Sequence, residues 1–153
     1  MAIDLQSELK QTRPFKSLAQ EAYLSLQRTA AVLEHAFECA LKPLGITATQ
    51  YNVLRILRGA GPNGLCRSEI GERLIRPVPD VTRLLDRLEM MGLIGRARSS
   101  EDRRYMTTRI TRAGGKLLDQ LEGTIDAIHE QQFGKMSASR LKTLIELLGS
   151  ARQ

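Results

Sequence analysis

Nine arginines and no lysine lie between residues 76 and 112, and this concentration of one side chain indicates binding to a polyanion. Five acidic residues share the stretch, so nine basic against five acidic groups leave a net charge of +4, most of the +6 of the 153-residue chain. Guanidinium groups bind phosphate oxygens and guanine edges through paired hydrogen bonds. An aromatic content of 4% disfavours single-strand binders that stack bases on several rings. We therefore expect this stretch to contact double-stranded nucleic acid.

The first part of this stretch predicts a helix with an open polar face. Its apolar residues repeat at helical spacing and form the expected core stripe: Val81, Leu84, Leu85, Leu88 and Met91. We expect the helix to begin near Val78 or Pro79, because proline is tolerated in a first helical turn, and to end at Gly92. The residues predicted to contact DNA from this helix are Val78, Pro79, Asp80, Thr82, Arg83 and Arg87. Arg83 lies about one turn into the helix, where most groove contacts are made, whereas Arg87 could equally pair with a nearby acid.

A shorter helix and a tight turn are predicted just before this element. Cys66 and Glu69 have the spacing of a helix-capping pair, and the helix they begin is expected to run to about Leu74. Two helices joined by a tight turn form a helix-turn-helix, whose second helix enters the major groove.

Residues 93–98 and 104–111 predict two strands joined by a polar turn at 99–103. Asp102 and Arg104 are two residues apart, so in an extended chain they project to the same side, where the carboxylate can orient the guanidinium. An arginine fixed at a hairpin tip suits a narrow, A·T-rich minor groove. The predicted DNA contacts of the hairpin are Arg96, Arg98, Ser99, Ser100, Asp102, Arg103 and Arg104. The competing interpretation is an ordinary surface hairpin with a weak ion pair.

Long helices are predicted on both sides of this basic region. From Phe15 to Leu41 apolar residues recur every three or four positions, which predicts a helix of about 27 residues, roughly 40 Å long. Such a helix is longer than a small domain is wide, so we expect a partner subunit to cover part of it; the alternative is a helix lying across its own core. A short helix carrying Ile3 and Leu5 should precede it. Two more helices should follow, with caps at Thr111 and Ser137.

Residues 47–112 resemble the winged helix-turn-helix of the multiple antibiotic resistance regulator (MarR) family. The residues that carry this resemblance are 81–89, 92–94, the Asp102–Arg104 signature and Ile110–Thr111. The flanking long helices also match. Two positions depart from the family pattern: residues 77–80 replace the more usual small hydroxyl residues, and Cys66 stands where a Thr or Ser cap is common.

The resemblance implies a mainly α fold with a small β-hairpin wing, divided into dimerisation helices at 1–46, a DNA-binding domain at 47–112 and further dimerisation helices at 113–153. It also implies a homodimer that binds a pseudo-palindromic operator and usually represses, with Arg104 in the minor groove. Small anionic, often phenolic ligands would bind between the dimerisation helices and the DNA-binding domain and would release the DNA.

Three other functions are compatible with parts of the sequence. Cys39 and Cys66 lack both zinc-site spacing and the density of a disulfide scaffold, but a thiol at a helix N-terminus beside Arg67 favours the reactive thiolate, so redox sensing through either cysteine is an alternative. His35, one turn from Cys39, offers the only candidate catalytic dyad, and the chain has no phosphate loop or nucleophile elbow, so we predict no enzyme, cofactor or metal. A winged helix that binds protein rather than DNA is the third.

The chain shows no signal-peptide pattern and no apolar run of the roughly 18 to 20 residues that spanning a bilayer needs. We therefore expect a cytoplasmic protein without membrane contact.

Overall fold

The computed structural model describes residues 4–153, a set of helices with one antiparallel hairpin. Its helices are α1 Leu5–Glu8, α2 Leu18–Leu41, α3 Ala48–Ala60, α4 Arg67–Arg73, α5 Val81–Met90, α6 Arg112–Phe133 and α7 Ala138–Ser150; its strands are β1 Ile94–Arg98 and β2 Met106–Ile110. Single 3₁₀ turns occupy Lys42–Leu44 and Gly61–Asn63. The predicted mainly α fold with a β-hairpin is confirmed. Ile3 lies outside the described residues.

Side-chain caps set most helix starts, as the sequence predicted. The Thr47 hydroxyl accepts a hydrogen bond from the Gln50 N–H at 3.2 Å, and Gln50 Oε1 accepts one from the Thr47 N–H at 3.0 Å. Thr111 and Ser137 likewise cap α6 and α7. The predicted start of α2 at Phe15 was wrong, because the Ser17 hydroxyl accepts from the Gln20 N–H at 3.1 Å and ends the extended segment before the helix.

The hydrophobic core lies among α3, α4, α5, α6 and the hairpin. The inner side of α3 is fully buried, with Val53, Leu54 and Leu57 each 0% exposed. In β2, Thr108 is buried and Ile110 half-buried, whereas Met106 is exposed. Met106 pairs with Arg98 at the outer end of β1, where the hairpin has passed beyond the core.

Helix α6 reaches the base of the hairpin through Gly114, which is buried. A Cβ at this position would overlap the carbonyl oxygen of Leu93 and lie 2.8 Å from Cγ1 of Ile110. The Thr111 hydroxyl donates to the Gly92 carbonyl at 2.7 Å beside this contact. Gly114 therefore has a packing role that the sequence did not indicate.

Two helices keep large apolar side chains at the surface of the chain. In α2, which has 24 residues, only Leu41 is buried, and α7 buries none. The exposed side chains include Leu18 at 84%, Val32 at 54%, Ile145 at 66% and Leu147 at 64%. The predicted uncovered stripe of the long helix is thus present in the structure. None of the helices within residues 4–153 has the length and apolar character that crossing a membrane requires.

Gly114→Ala should destabilise the fold by about 1 to 3 kcal/mol, because the added methyl group overpacks the contact with Leu93. Gly115→Ala is the matched control: a Cβ there meets nothing within 4 Å, and alanine favours the helix, so stability should rise by up to about 1 kcal/mol. Thermal unfolding at one fixed protein concentration measures both. Equal shifts in Tm for the two variants would contradict the packing role.

Candidate nucleic-acid interface

Helix α5 begins later than the sequence predicted. Asp80 is its N-cap, and Oδ1 of Asp80 accepts a hydrogen bond from the Arg83 N–H at 2.9 Å, so the first helical residue is Val81. The predicted start at Val78 or Pro79 was therefore wrong: the capping carboxylate satisfies a free N–H of the first turn, which proline cannot do. Val78 instead packs half-buried against the core, and Pro79 lies exposed before the cap.

The C-terminal end of α5 also differs by one residue. Met91 was predicted to continue the buried stripe but is 42% exposed, since the helix ends at Met90 and Met91 no longer follows the helical period. Gly92 has a φ of 73°, the left-handed conformation that favours glycine, and ends the helix as predicted.

The outward face of α5 carries Thr82, Arg83 and Arg87, all of which are exposed. The Arg67 guanidinium of α4 donates to the Thr82 hydroxyl at 3.0 Å and so links the two helices of the pair on their outer side. Arg67 was not predicted as a site residue; its only sequence signal was a place in the first turn of α4. The open face of α5 is therefore polar and basic, as expected for a helix that enters a DNA groove.

The wing, residues 94–110, ends in a turn stabilised by short-range hydrogen bonds. The Ser99 N–H donates to the Tyr105 carbonyl at 2.8 Å, and the Tyr105 N–H donates to the Asp102 carbonyl at 3.0 Å. The Ser99 hydroxyl accepts from the Glu101 N–H at 3.2 Å. These bonds delay the start of the second strand to Met106, so Arg104 lies in the turn, as Asp102 does, rather than in an extended strand.

The predicted contact between Asp102 and Arg104 is present, although its geometry differs from the one expected. Oδ1 of Asp102 accepts from the Arg104 backbone N–H at 3.0 Å and lies 3.7 Å from Nε of the same residue. The Arg104 side chain is 91% exposed. The carboxylate thus fixes the backbone from which the guanidinium projects, and it leaves the guanidinium free to reach a partner. Ser100, Arg98 and Arg103 are exposed beside it.

Arg96 has a different role from the predicted phosphate contact. Its guanidinium donates to Asp86 at 2.6 Å and to both oxygens of Glu89, at 3.0 and 3.1 Å, and its side chain is only 20% exposed. The hydrogen bonds from Arg96 hold the pKa of Glu89 below its ordinary value of 4.5. Because Asp86 and Glu89 belong to α5 and Arg96 to β1, this cluster links the helix to the wing.

A groove of about 390 Å³ lies between α5 and the wing. It brings together three residues predicted as DNA contacts, Thr82, Arg96 and Arg104, with Arg67 and Tyr105, which were not predicted. The sequence signal for Tyr105 was its outward register in the second strand, and it is 60% exposed. Helix face and wing tip therefore share one continuous surface.

The two cysteines lie apart. Cys66 is half-buried at the N-cap of α4 and lines the groove; its Sγ lies 3.1 Å from the Ser68 hydroxyl. The Cys66 N–H donates to Glu69 at 2.8 Å, and this bond lowers the pKa of the Glu69 carboxyl. Cys39 is exposed on α2 with its Sγ 3.7 Å from Nε2 of His35. Redox sensing through either cysteine stays a prediction.

Within residues 4–153, no cluster of three His, Cys, Asp or Glu side chains could hold a metal ion.

A second concave site, which we call the inner cavity, has a volume of about 550 Å³ and lies between α2, α3, α6 and the segment that joins α4 to α5. Its apolar walls are formed by Ala30, Leu33, Phe37, Tyr51, Ile75 and Ile125. The Phe37 and Tyr51 rings meet edge to face with centroids 5.2 Å apart. Its polar lining includes Glu34, Arg55, Arg76 and His129. Such a lining suits a small molecule with an apolar body and a negative charge.

Arg96→Gln should lower stability by about 1 kcal/mol, because it leaves two carboxylates of α5 without their cation. The loss should be full above pH 4.5. It should shrink as the pH falls further, since a carboxylate with a depressed pKa contributes stability only while it is ionised.

Arg98→Gln, two residues along the same strand, is the control and should leave stability within about 0.5 kcal/mol of the wild type. Urea titrations of both variants at pH 7 and pH 3.5 provide the measurement. A difference between Arg96→Gln and wild type that persists undiminished at pH 3.5 would rule out the proposed role of Glu89.

Comparison with known proteins places this fold. The model of the MarR family matches residues 46–106. A MarR transcription factor from Planctomyces limnophilus is 42% identical over 89% of this chain and 98% of its own, with a TM-score of 0.68. The S. aureus MepR–DNA complex is 24% identical over 85% and 94%, with a TM-score of 0.76. Bordetella bronchiseptica BpsR, whose DNA binding is regulated by 6-hydroxynicotinic acid, is 19% identical over 92% and 99%, with a TM-score of 0.79.

The last two likenesses concern the fold alone, whereas the first spans nearly the whole of a family member at high identity. The family model also matches the helix-turn-helix and the first part of the wing, so the chain belongs to the MarR family of transcription regulators.

Proposed function

We propose that the protein is a homodimeric repressor that binds a pseudo-palindromic operator in double-stranded DNA and is released by a small anionic ligand. The observation that carries the DNA-binding part is the shared groove, where the outer face of α5 and the wing tip meet with Arg104 91% exposed. A cytoplasmic location follows from this role.

The proposed DNA contacts divide between the two elements. Thr82, Arg83 and Arg87 would enter the major groove, since they project from the open face of α5. Arg104 would enter the adjacent minor groove, where the negative potential of A·T-rich sequence attracts a guanidinium. The fold is shared with a protein solved in complex with DNA, S. aureus MepR. Asp80 contributes through the cap that starts the helix.

The remaining wing residues would contact the flanking backbone. Arg98 and Arg103 are exposed cations that suit phosphates, and Ser99 and Ser100 lie in the turn between them. Arg96 is left out of this set because its guanidinium is already paired with two carboxylates.

The uncovered apolar faces of α2 and α7 support the homodimer. Val32, Ile145 and Leu147 are each more than half exposed, and large exposed apolar faces on a monomer mark contact surfaces. A two-fold dimer would place two α5 helices on successive major grooves, which is why a pseudo-palindromic operator is expected.

The inner cavity supports the ligand. It lies between the long helices and the DNA-reading elements, and the guanidinium groups of Arg55 and Arg76 and the imidazole of His129 line it as hydrogen-bond partners for an anion. The fold is shared with BpsR, whose DNA binding responds to the aromatic acid 6-hydroxynicotinic acid. An aromatic carboxylate of similar size would bury its ring against Phe37 and Tyr51.

Arg104→Ala should weaken binding to the operator at least about fivefold and flatten the dependence of affinity on salt, because it removes a cation from the minor groove. The DNA is first recovered by incubating the purified protein with genomic fragments and sequencing those it retains. Affinity for a recovered fragment is then measured at two salt concentrations.

Lys135→Ala is the charge-matched control, since it lies beyond the far end of α6, a helix of 22 residues and so about 33 Å long, whose other end lies at the base of the wing. Identical salt slopes for the two variants would remove the wing from the proposal. A protein that retains no genomic fragment would favour the protein-binding alternative.

Ile145→Glu should shift the protein from dimer to monomer at micromolar concentration, because it places a charge on the exposed apolar face of α7. Sedimentation equilibrium measures the change. Met90→Glu, at an exposed methionine at the end of α5, is the control and should leave the mass unchanged. A wild-type protein that sediments as a monomer would contradict the dimer.

A further inference from the structure

Residues 74–80, which we call the α4–α5 segment, connect the first helix of the helix-turn-helix to the reading helix. The guanidinium of Arg76 in this segment donates to Glu34 of α2 at 2.7 Å. Both residues line the inner cavity. This ion pair therefore links α2 to the α4–α5 segment at the wall of the inner cavity.

A second contact holds the same segment. The Ile75 backbone N–H donates to Oδ1 of Asn52, on α3, at 2.9 Å. Ile75 and Asn52 also line the inner cavity. Two successive residues of the α4–α5 segment are thus held by side chains that a ligand in the cavity would touch.

The Arg76–Glu34 pair is weak enough to be exchanged. Its side chains are 67% and 31% exposed, and exposed pairs contribute only about 0 to 1 kcal/mol. A ligand carboxylate offers a guanidinium the same two acceptor oxygens that Glu34 offers. Its aromatic body would in addition bury apolar surface against Phe37 and Tyr51, a gain that Glu34 cannot make in the same exchange.

We propose that Arg76 binds the carboxylate of the effector in place of Glu34. The loss of the Arg76–Glu34 ion pair then releases the α4–α5 segment from α2. This inference rests on the proposed function, because it presupposes a ligand that regulates DNA binding from the inner cavity. The ligand class it names is a small aromatic monocarboxylate.

The exchange of Glu34 for the ligand couples the inner cavity to α5, so that ligand binding opposes DNA binding. A ligand shifts a conformational equilibrium only by the difference in its affinity for the two states. A carboxylate that binds Arg76 more tightly when Glu34 has left favours the state with the segment released, and by reciprocity the intact pair opposes the ligand. Release of the segment changes how α5 is presented, since α5 begins immediately after it at Val81.

The first experiment needs neither DNA nor ligand. Hydrogen exchange at the Ile75 amide, in the full-length protein, should be up to about fivefold faster in Glu34→Gln than in wild type. Glu8→Gln is the matched control, since Glu8 pairs with Arg28 of the same α2 helix at 3.7 Å and does not line the cavity. Equal exchange at Ile75 in both variants would overturn the pair's role in holding the segment.

The second experiment measures DNA affinity for a recovered genomic fragment. Glu34→Gln should bind up to about fivefold more weakly than Glu8→Gln, although each variant loses one negative charge and charge alone would strengthen binding to DNA. Combining Glu34→Gln with Arg76→Gln should add no further loss beyond that of Arg76→Gln alone, because the pair is already absent. Equal affinity of Glu34→Gln and Glu8→Gln would contradict a link between the pair and the reading helix.

The third experiment uses 6-hydroxynicotinate and benzoate as the carboxylate probes, with calorimetry on the same proteins. Glu34→Gln should bind a probe about two- to fivefold more tightly than wild type, because its carboxylate no longer competes for Arg76, and Arg76→Gln should bind it more weakly. Tighter binding by Arg76→Gln, or no change in Glu34→Gln, would overturn the exchange. Failure of the wild type to bind either probe would overturn the named ligand class.

The failures can be told apart. If the wild type retains no DNA, the proposed function fails, while amide exchange at Ile75 still decides whether the Arg76–Glu34 pair holds the segment. If DNA is bound and Ile75 exchanges alike in Glu34→Gln and Glu8→Gln, the proposed function stands and this inference fails.

Discussion

The contact between Gly114 and the Leu93 carbonyl determines how the rest of the structure is arranged. Leu93 immediately precedes the wing, and Gly114 lies in the first turn of α6. The two backbones are in contact at this point, where a side chain on residue 114 would separate them. Helix α6 then carries Ile125 and His129 to the inner cavity. This close approach thus sets the position of α6 relative to the wing.

The arginines of the basic region have different functions although they share one composition signal. Arg96 is mostly buried between two carboxylates of α5 and holds helix and wing together, whereas Arg104 is almost fully exposed at the wing tip. Arg67, outside that region, links α4 to α5 through Thr82. Fewer arginines are therefore free to contact DNA than the charge count indicated, because some of them form ion pairs within the protein.

The α4–α5 segment connects the wall of the inner cavity to the start of α5. It begins after a helix of the core, borders the inner cavity through Ile75 and Arg76, and ends at Asp80, whose carboxylate starts the reading helix. Its contacts to Asn52 and Glu34 are few and largely exposed, and a segment of this kind opens at lower free energy than the core around it. The exposed contacts of Ile75 and Arg76 are therefore the part of this segment that opens most readily.

The sequence alone determined what depends on neighbours three or four residues apart. The caps at Thr47 and Thr111, the buried side of α3 and the Asp102–Arg104 contact could all be predicted, because each joins groups within one turn of chain. Only the tertiary structure decided that Arg96 pairs with α5 or that Arg76 reaches Glu34. Those choices depend on which elements pack together, and nine similar guanidinium groups look alike until packing brings particular carboxylates within hydrogen-bond reach.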